Sequence, residues 1–296
     1  MSTSSGRRHV AALAAGLVAA LLAAWGGIVA VGAVRNGGGA SAVEGRDRRY
    51  FIAADTVDWN YVPSGRNLIT GKPFTEAEDV FVENKPDRIG PVYEKSIYRE
   101  YTDGTFTTLK PRPERWQHLG TLGPVVEAEV GDTIEVTFRN NTPLLASIHA
   151  HGVFYRKDSE GAPYADGTSG ADTADDAVPT GGTHVYRWQV PERAGPGPGD
   201  GSSIMWMYHS HTDEVSDTYA GLIGPMIITR KGMARGDGSP RDVDRQFIVN
   251  FMVDDENQSP YLERNIERFA PEAKSLPEGD EEFGESNLKH GINGYL

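Results

Sequence analysis

Apolar and polar residues alternate with a period of two along much of the chain. The clearest stretch is Thr133–Arg139, where Ile134, Val136 and Phe138 are separated by polar residues. Successive strand side chains point to opposite faces, so this pattern predicts a strand with one buried face. His184–Val190 repeats it, with His184, Tyr186, Trp188 and Val190 on one face and Val185, Arg187 and Gln189 on the other. Tyr50–Val57, Ser96–Tyr101, Val125–Val130, Ile204–His211 and Gly221–Thr229 read as further strands. Turn signals such as Gly131-Asp132 and Asn140-Asn141-Thr142-Pro143 stand between them. Many short strands with regular turns predict an all-β antiparallel sandwich or barrel.

Two regions break the pattern. Arg7 and Arg8 precede a mostly apolar, uncharged run from Val10 to Val34, followed by Gly37-Gly38-Gly39 and the small-residue motif Ala40-Ser41-Ala42. Residues 1–43 therefore read as a signal anchor or a signal peptide plus linker, with an N-terminal transmembrane or signal helix. Either way the remainder is expected to be exported, membrane-anchored or secreted, and extracytoplasmic. At the other end, a basic, Gly-rich stretch (Arg230 to Arg241) leads to one new strand, Gln246–Val253, and an acidic region, Glu263–Glu285, with room for one short helix. Residues 48–232 thus form the main domain, and 233–296 read as a linker and the incomplete start of a second.

The formal net charge is −13, and residues 1–43 hold three of the basic residues (Arg7, Arg8, Arg35) and no acidic ones. An exported part this acidic argues against a nucleic-acid partner, whose phosphates are held by basic side chains. There is no cysteine, which excludes disulfides and thiolate ligands.

Chemistry concentrates in two short motifs, His149-Ala150-His151-Gly152 and His209-Ser210-His211, which hold four of the eight histidines. Residues i and i+2 of a strand share a face, about 6.6 Å apart, so each pair aims two imidazoles the same way. Imidazole suits copper, zinc, iron and nickel. The isolated His118, His184 and His290 lack such company and read as non-ligands. Asp172, Asp175 and Asp176, with carbonyls from around Lys157 to Ala162, offer oxygen donors for calcium. Asp213 and Glu214 follow the second pair closely enough to carry charge or a proton beside it.

These motifs sit in an ordered set. Pro86-Asp87-Arg88-Ile89-Gly90, Tyr101-Thr102-Asp103, Leu122-Gly123-Pro124, His151-Gly152-Val153-Phe154-Tyr155, Tyr208-His209-Ser210-His211-Thr212-Asp213-Glu214 and Gly221-Leu222-Ile223-Gly224-Pro225 follow one another along the chain. In this order they resemble the first cupredoxin domain of the ceruloplasmin–hephaestin branch of the multicopper oxidases, over about residues 50–295. The resemblance implies a cupredoxin-like Greek-key β-sandwich or barrel that supplies half of a trinuclear copper cluster. His149 would bind the type 2 copper, and His151, His209 and His211 the type 3 pair. It also implies a calcium site at Asp175-Asp176. The other half of the cluster would come from a C-terminal cupredoxin domain carrying His-Cys-His, which this cysteine-free chain does not contain. The complete enzyme would couple oxidation of a small reductant, such as ferrous or cuprous ion, to reduction of dioxygen to water. The isolated chain is then expected to be inactive. Two other readings stay open: a non-enzymatic copper-binding or interaction module like the coagulation-factor A domains, and an unrelated metal-dependent β-barrel enzyme.

Overall fold

The structure, a computed structural model, describes residues 45–296; the expected N-terminal helix lies outside the described residues. Among the described residues no helix is long and apolar enough to cross a membrane. The chain forms β1 (Asp47–Asn60), α1 (Glu76–Val82), β2 (Val92–Glu100), β3 (Val126–Glu129), β4 (Thr133–Asn140), β5 (His149–Ala150), β6 (Thr183–Gln189), β7 (Ser203–His209), α2 (Glu214–Ala220), β8 (Ile223–Thr229), β9 (Phe251–Asp255), α3 (Leu262–Phe269), α4 (Glu281–Ser286) and β10 (Leu288–Ile292). The fold is mostly β, and α1 and α2 are short helices that the strand pattern did not anticipate.

Two four-stranded sheets make the body, in the orders β2-β1-β4-β6 and β3-β8-β7-β5. The sandwich is not wholly antiparallel, because β1 with β4 and β3 with β8 run parallel. The alternating residues meet between the sheets: Ile52, Tyr98, Ile134, Val136, Phe138, Tyr186 and Trp188 from the first pack with Val126, Tyr208, Met226 and Ile228 from the second. Burying one such face supplies the main driving force, roughly 1.5–3 kcal/mol per large apolar side chain.

The Gly131-Asp132 turn shows why the register is fixed. Gly131 takes φ +97°, open to glycine at little cost. The Asp132 carboxylate accepts from the main-chain N–H of Arg46 at 2.8 Å, from that of Glu129 at 2.9 Å and from Arg48 Nε at 2.7 Å. One buried acid thereby ties β1, β3 and β4 together.

The C-terminal region departs furthest from its sequence pattern. The strand expected at Gln246–Val253 is confined to Phe251–Asp255, and residues 246–250 are irregular. The single helix expected in Glu263–Glu285 is replaced by α3, a 3-10 turn at Pro271–Ser275 and α4. β9 and β10 pair as an antiparallel hairpin. Ile266, Ala270 and Ala273 pack against Tyr61, Ile89 and Tyr93, so this region shares one compact unit with the sandwich.

Candidate metal centre

The two histidine motifs meet because β5 and β7 are antiparallel neighbours, with His149 opposite His209 and Ala150 opposite Tyr208. Ala150 and Tyr208 enter the core, which turns His149 and His209 to the outer face of the sheet. β5 is only two residues long, yet the His151 N–H still donates to Met207 O at 3.0 Å and carries the register one pair further. His211 lies just past the end of β7.

Four rings converge. The His149 ring centroid is 5.2, 5.6 and 5.0 Å from those of His151, His209 and His211. His209 is 5.1 Å from His151 and 5.5 Å from His211. The Nε2 atoms of His151 and His209 are 3.0 Å apart. His149 Nδ1 lies 2.6 Å from Glu160 O and His209 Nδ1 2.9 Å from Ser210 O. A carbonyl partner assigns the proton to Nδ1 and leaves Nε2 as the bare ligand atom.

Burial sets the charge state. It pushes the His149 imidazolium down to about 4, and the neighbouring histidines act in the same direction. Burial also lowers His151 and His209. Neutral imidazole is the form that binds metal. Among the described residues, no three His, Asp or Glu side chains are placed to hold one metal ion between them. The arrangement is an open cluster of donors.

The surrounding network was not evident in the sequence. Ser147 N–H donates to Ser210 Oγ at 3.0 Å, and Ser210 Oγ donates to Asp217 Oδ2 at 2.6 Å. His211 N–H donates to Ser147 Oγ at 3.0 Å, which donates to Gly161 O at 2.6 Å. Ser147, Ser210 and Asp217 are all buried. They lock the main chain on both sides of the second pair. The one available signal was a serine between the two histidines.

Glu214 reaches the cluster, with carboxylate oxygens 3.6 Å from His211 Nε2 and 3.9 Å from His209 Nε2. Asp213 does not join it: this exposed residue stands at the start of α2, where its N–H donates to Asp217 Oδ2 at 3.1 Å. His184 Nε2 bonds Asp158 O at 2.8 Å, His118 Nε2 accepts from Ile248 N–H at 3.2 Å, and His290 packs on Phe81.

In the acidic loop, Asp175 and Asp176 are buried and each has an Oδ1 with no hydrogen-bond partner. Burial raises both carboxyls. Lys157 Nζ stands 4.0 Å from Asp176 Oδ1 and donates to Ala162 O at 3.0 Å. Asp172 is exposed on the turn Gly170–Thr173.

A family model described as multicopper oxidase matches residues 118–232, which include all four paired histidines. The chain is 47% identical over 252 residues to the human (Homo sapiens) protein Ferroxidase HEPHL1, covering 84% of this chain and 22% of that one. It is 44% identical over 257 residues to Hephaestin of Homo sapiens, covering 86% and 22%. With Ceruloplasmin of Mus musculus it shares 43% identity over 252 residues, covering 84% and 24%. The chain thus spans less than a quarter of the length of these relatives. It belongs to the multicopper oxidases, in their ceruloplasmin/hephaestin-like branch.

Proposed function

We propose that this chain is the copper-binding first part of a multicopper oxidase, and that His149, His151, His209 and His211 supply half of a trinuclear copper cluster. The observation that carries this reading is the 3.0 Å separation of His151 Nε2 and His209 Nε2. Two imidazole nitrogens each about 2.0–2.1 Å from a shared ion stand about that far apart when the angle at the ion is near a right angle. The donor set, four imidazoles of which His149 and His209 have their Nδ1 atoms held by main-chain carbonyls, also suits copper. His149 is assigned to the type 2 position, and His151, His209 and His211 to the type 3 pair.

Copper bound there would supply the one-electron chemistry through which dioxygen is reduced to water. The chain's own residues have narrower tasks. Glu160 O and Ser210 O orient His149 and His209; Glu214 sets a carboxylate beside His211, placed to carry charge or pass a proton; the Ser147–Ser210–Asp217 network keeps the second pair in place. Residues 48–232 are assigned to a cupredoxin-like domain, and 233–296 to a linker and the opening of the next. The remaining ligands belong to a partner cupredoxin domain with His-Cys-His. The complete protein oxidises a small reductant, ferrous or cuprous ion among the candidates, and acts outside the cytoplasm, anchored or secreted.

The test is copper content and the paramagnetic resonance spectrum after loading the purified chain with Cu(II) and dialysing. The chain should retain copper with nitrogen hyperfine structure and show no intense blue band, because it has no thiolate. His149→Ala with His209→Ala should abolish uptake; unchanged copper in that variant refutes the assignment.

A second cation site follows from the two partnerless carboxylate oxygens. We assign Asp175 and Asp176, with nearby main-chain carbonyls, to calcium, which takes oxygen donors of this kind. Asp172, being exposed, is left out. Calcium should raise the melting temperature of the wild-type chain but not of Asp175→Asn/Asp176→Asn.

A further inference from the structure

The outer face of β7 carries more than its histidines. Ile204, Trp206 and Tyr208 turn towards the core, so Met205, Met207 and His209 share the opposite face at every second residue. Met205 is 56% exposed and Met207 43%. Both are long apolar side chains held in solvent on a strand that could have carried polar residues there. The other methionines of the described chain are more enclosed: Met226 is in the core, and Met233 and Met252 are half-buried.

The register puts these two side chains in line with the cluster. Met207 precedes His209 by two residues and accepts the His151 N–H through its carbonyl at 3.0 Å, which sets residues 151 and 207 opposite each other. Side chains opposite each other on neighbouring antiparallel strands have Cβ atoms about 4.5–5.5 Å apart. Met205 stands one step further out, paired with Ile227 of β8. The face therefore runs Met205, Met207, His209 along one strand, with His151 beside Met207.

Thioether sulfur is a soft, neutral ligand that selects cuprous ion over harder divalent ions. Imidazole accepts copper in either oxidation state. We propose that Met205 and Met207 form a solvent-facing capture site for Cu(I), from which the ion passes by ligand exchange to His151 and His209. The step changes only ligands, two sulfurs for two nitrogens, with no electron moved. This rests on the copper reading of the histidines, and its test is built to separate the two.

The purified chain would be titrated without oxygen against Cu(I) held by bicinchoninate, and separately with Cu(II) followed by paramagnetic resonance. Ag(I), a redox-inert stand-in for Cu(I), would be added to chain labelled with ¹³C at the methionine methyls. Met205→Leu/Met207→Leu keeps apolar area and volume but removes both sulfurs. We expect it to lose about tenfold or more in Cu(I) affinity, with Cu(II) uptake unchanged. Ag(I) should shift the methyl signals of Met205 and Met207 and leave Met226 in place. In His149→Ala/His209→Ala, Cu(I) capture that still depends on the two methionines supports the site independently of the cluster. Equal Cu(I) affinity in wild type and the Leu variant, or Ag(I) shifts that miss both residues, overturns the proposal and leaves the face a plain apolar surface. Absence of Cu(II) binding by the wild-type histidines would instead sink the cluster reading.

Discussion

The indole of Trp206 fills the space that a side chain at residue 152 would need. An ideal Cβ built on Gly152 falls 2.4 Å from the ring atoms Cδ2 and Cε2. Gly152 also has φ +80°, where side-chain-bearing residues are strained. Trp206 cannot simply give way, since its Nε1 donates to Ala194 O at 2.8 Å. The glycine that closes His149-Ala150-His151-Gly152 thus lets the chain turn sharply over β7 and leave His151 in the cluster.

Gly152→Ala combines backbone strain with a clash, so it should cost about 2–4 kcal/mol. Urea denaturation would measure the cost, and copper uptake should fall with it. In a Trp206→Val background the clash is gone and only the backbone part, about 1–2 kcal/mol, should remain. An equal cost in both backgrounds would show that the indole is not the obstacle.

Ser210 offers a sharper view of how the second pair is held. Its Oγ accepts from Ser147 and donates to Asp217 in a buried setting. Ser210→Ala leaves the Ser147 N–H and one Asp217 oxygen without this partner, at about 1–3 kcal/mol. Asp217→Asn keeps the shape but weakens a charge-assisted bond. Both variants should keep the β-sheet circular dichroism of wild type while binding Cu(II) about 10–100-fold more weakly, as loss of groups that orient ligands does elsewhere. Wild-type copper affinity in both would remove the positioning role.

What could be read from the sequence follows a physical divide. The period-two alternation at Ile134, Val136 and Phe138 is a local record of a face buried by the whole sheet, and the structure places those residues in the core. The histidine motifs were legible because the two ligands of each pair are two residues apart in the chain, although His151 and His211 lie just beyond the ends of β5 and β7. The Ser147–Ser210–Asp217 network was not, since Ser147 and Ser210 are 63 residues apart and meet only through the β5–β7 pairing. Gln246–Val253 misled for the opposite reason. Phe247, Val249 and Phe251 look like one buried face but remain exposed, and only residues 251–255 find a partner strand. Apolar alternation predicts a strand only where a neighbouring strand exists to accept its hydrogen bonds.

Glu127 on β3 provides a pH test away from the histidines. Its side chain is buried, with Oε2 held by Arg115 at 2.8 Å and Oε1 without a partner. Burial pushes its carboxyl up to about 7, against the pull of Arg115. The folded chain therefore binds this proton more tightly than the unfolded one, whose carboxyl titrates near its ordinary value of 4.5. Its contribution is favourable at low pH and is lost as pH rises from about 4.5 to 7. Glu127→Gln cannot titrate. Relative to wild type it should gain stability across that window, by up to about 3 kcal/mol between pH 4.5 and pH 8. Urea midpoints at pH 5 and pH 8 would show it; a difference independent of pH would mean that Glu127 is ionised throughout.

The buried ion pair of Lys95 and Glu256 joins β2 to the C-terminal region. Neither side chain is exposed to solvent. Lys95 Nζ also donates to Tyr219 O at 2.8 Å and contacts Tyr61 Oη at 2.9 Å, while Tyr61 donates to Glu256 at 2.5 Å. Lys95 thus reaches α2, the helix that carries Asp217, as well as the turn that follows β9. Removing one partner leaves a buried charge uncompensated, which costs about 3–5 kcal/mol, whereas replacing both by apolar groups of similar size is often neutral. Glu256→Gln and Lys95→Met should each destabilise by that amount. The double variant Lys95→Met/Glu256→Leu should lose clearly less than the two costs combined. Because the single variants free α2 and the C-terminal region together, they should also speed hydrogen exchange in both segments while the β4–β6 amides keep wild-type protection. Additive losses in the double variant, or faster exchange spread evenly over the sandwich, would show that the pair does not act as a unit.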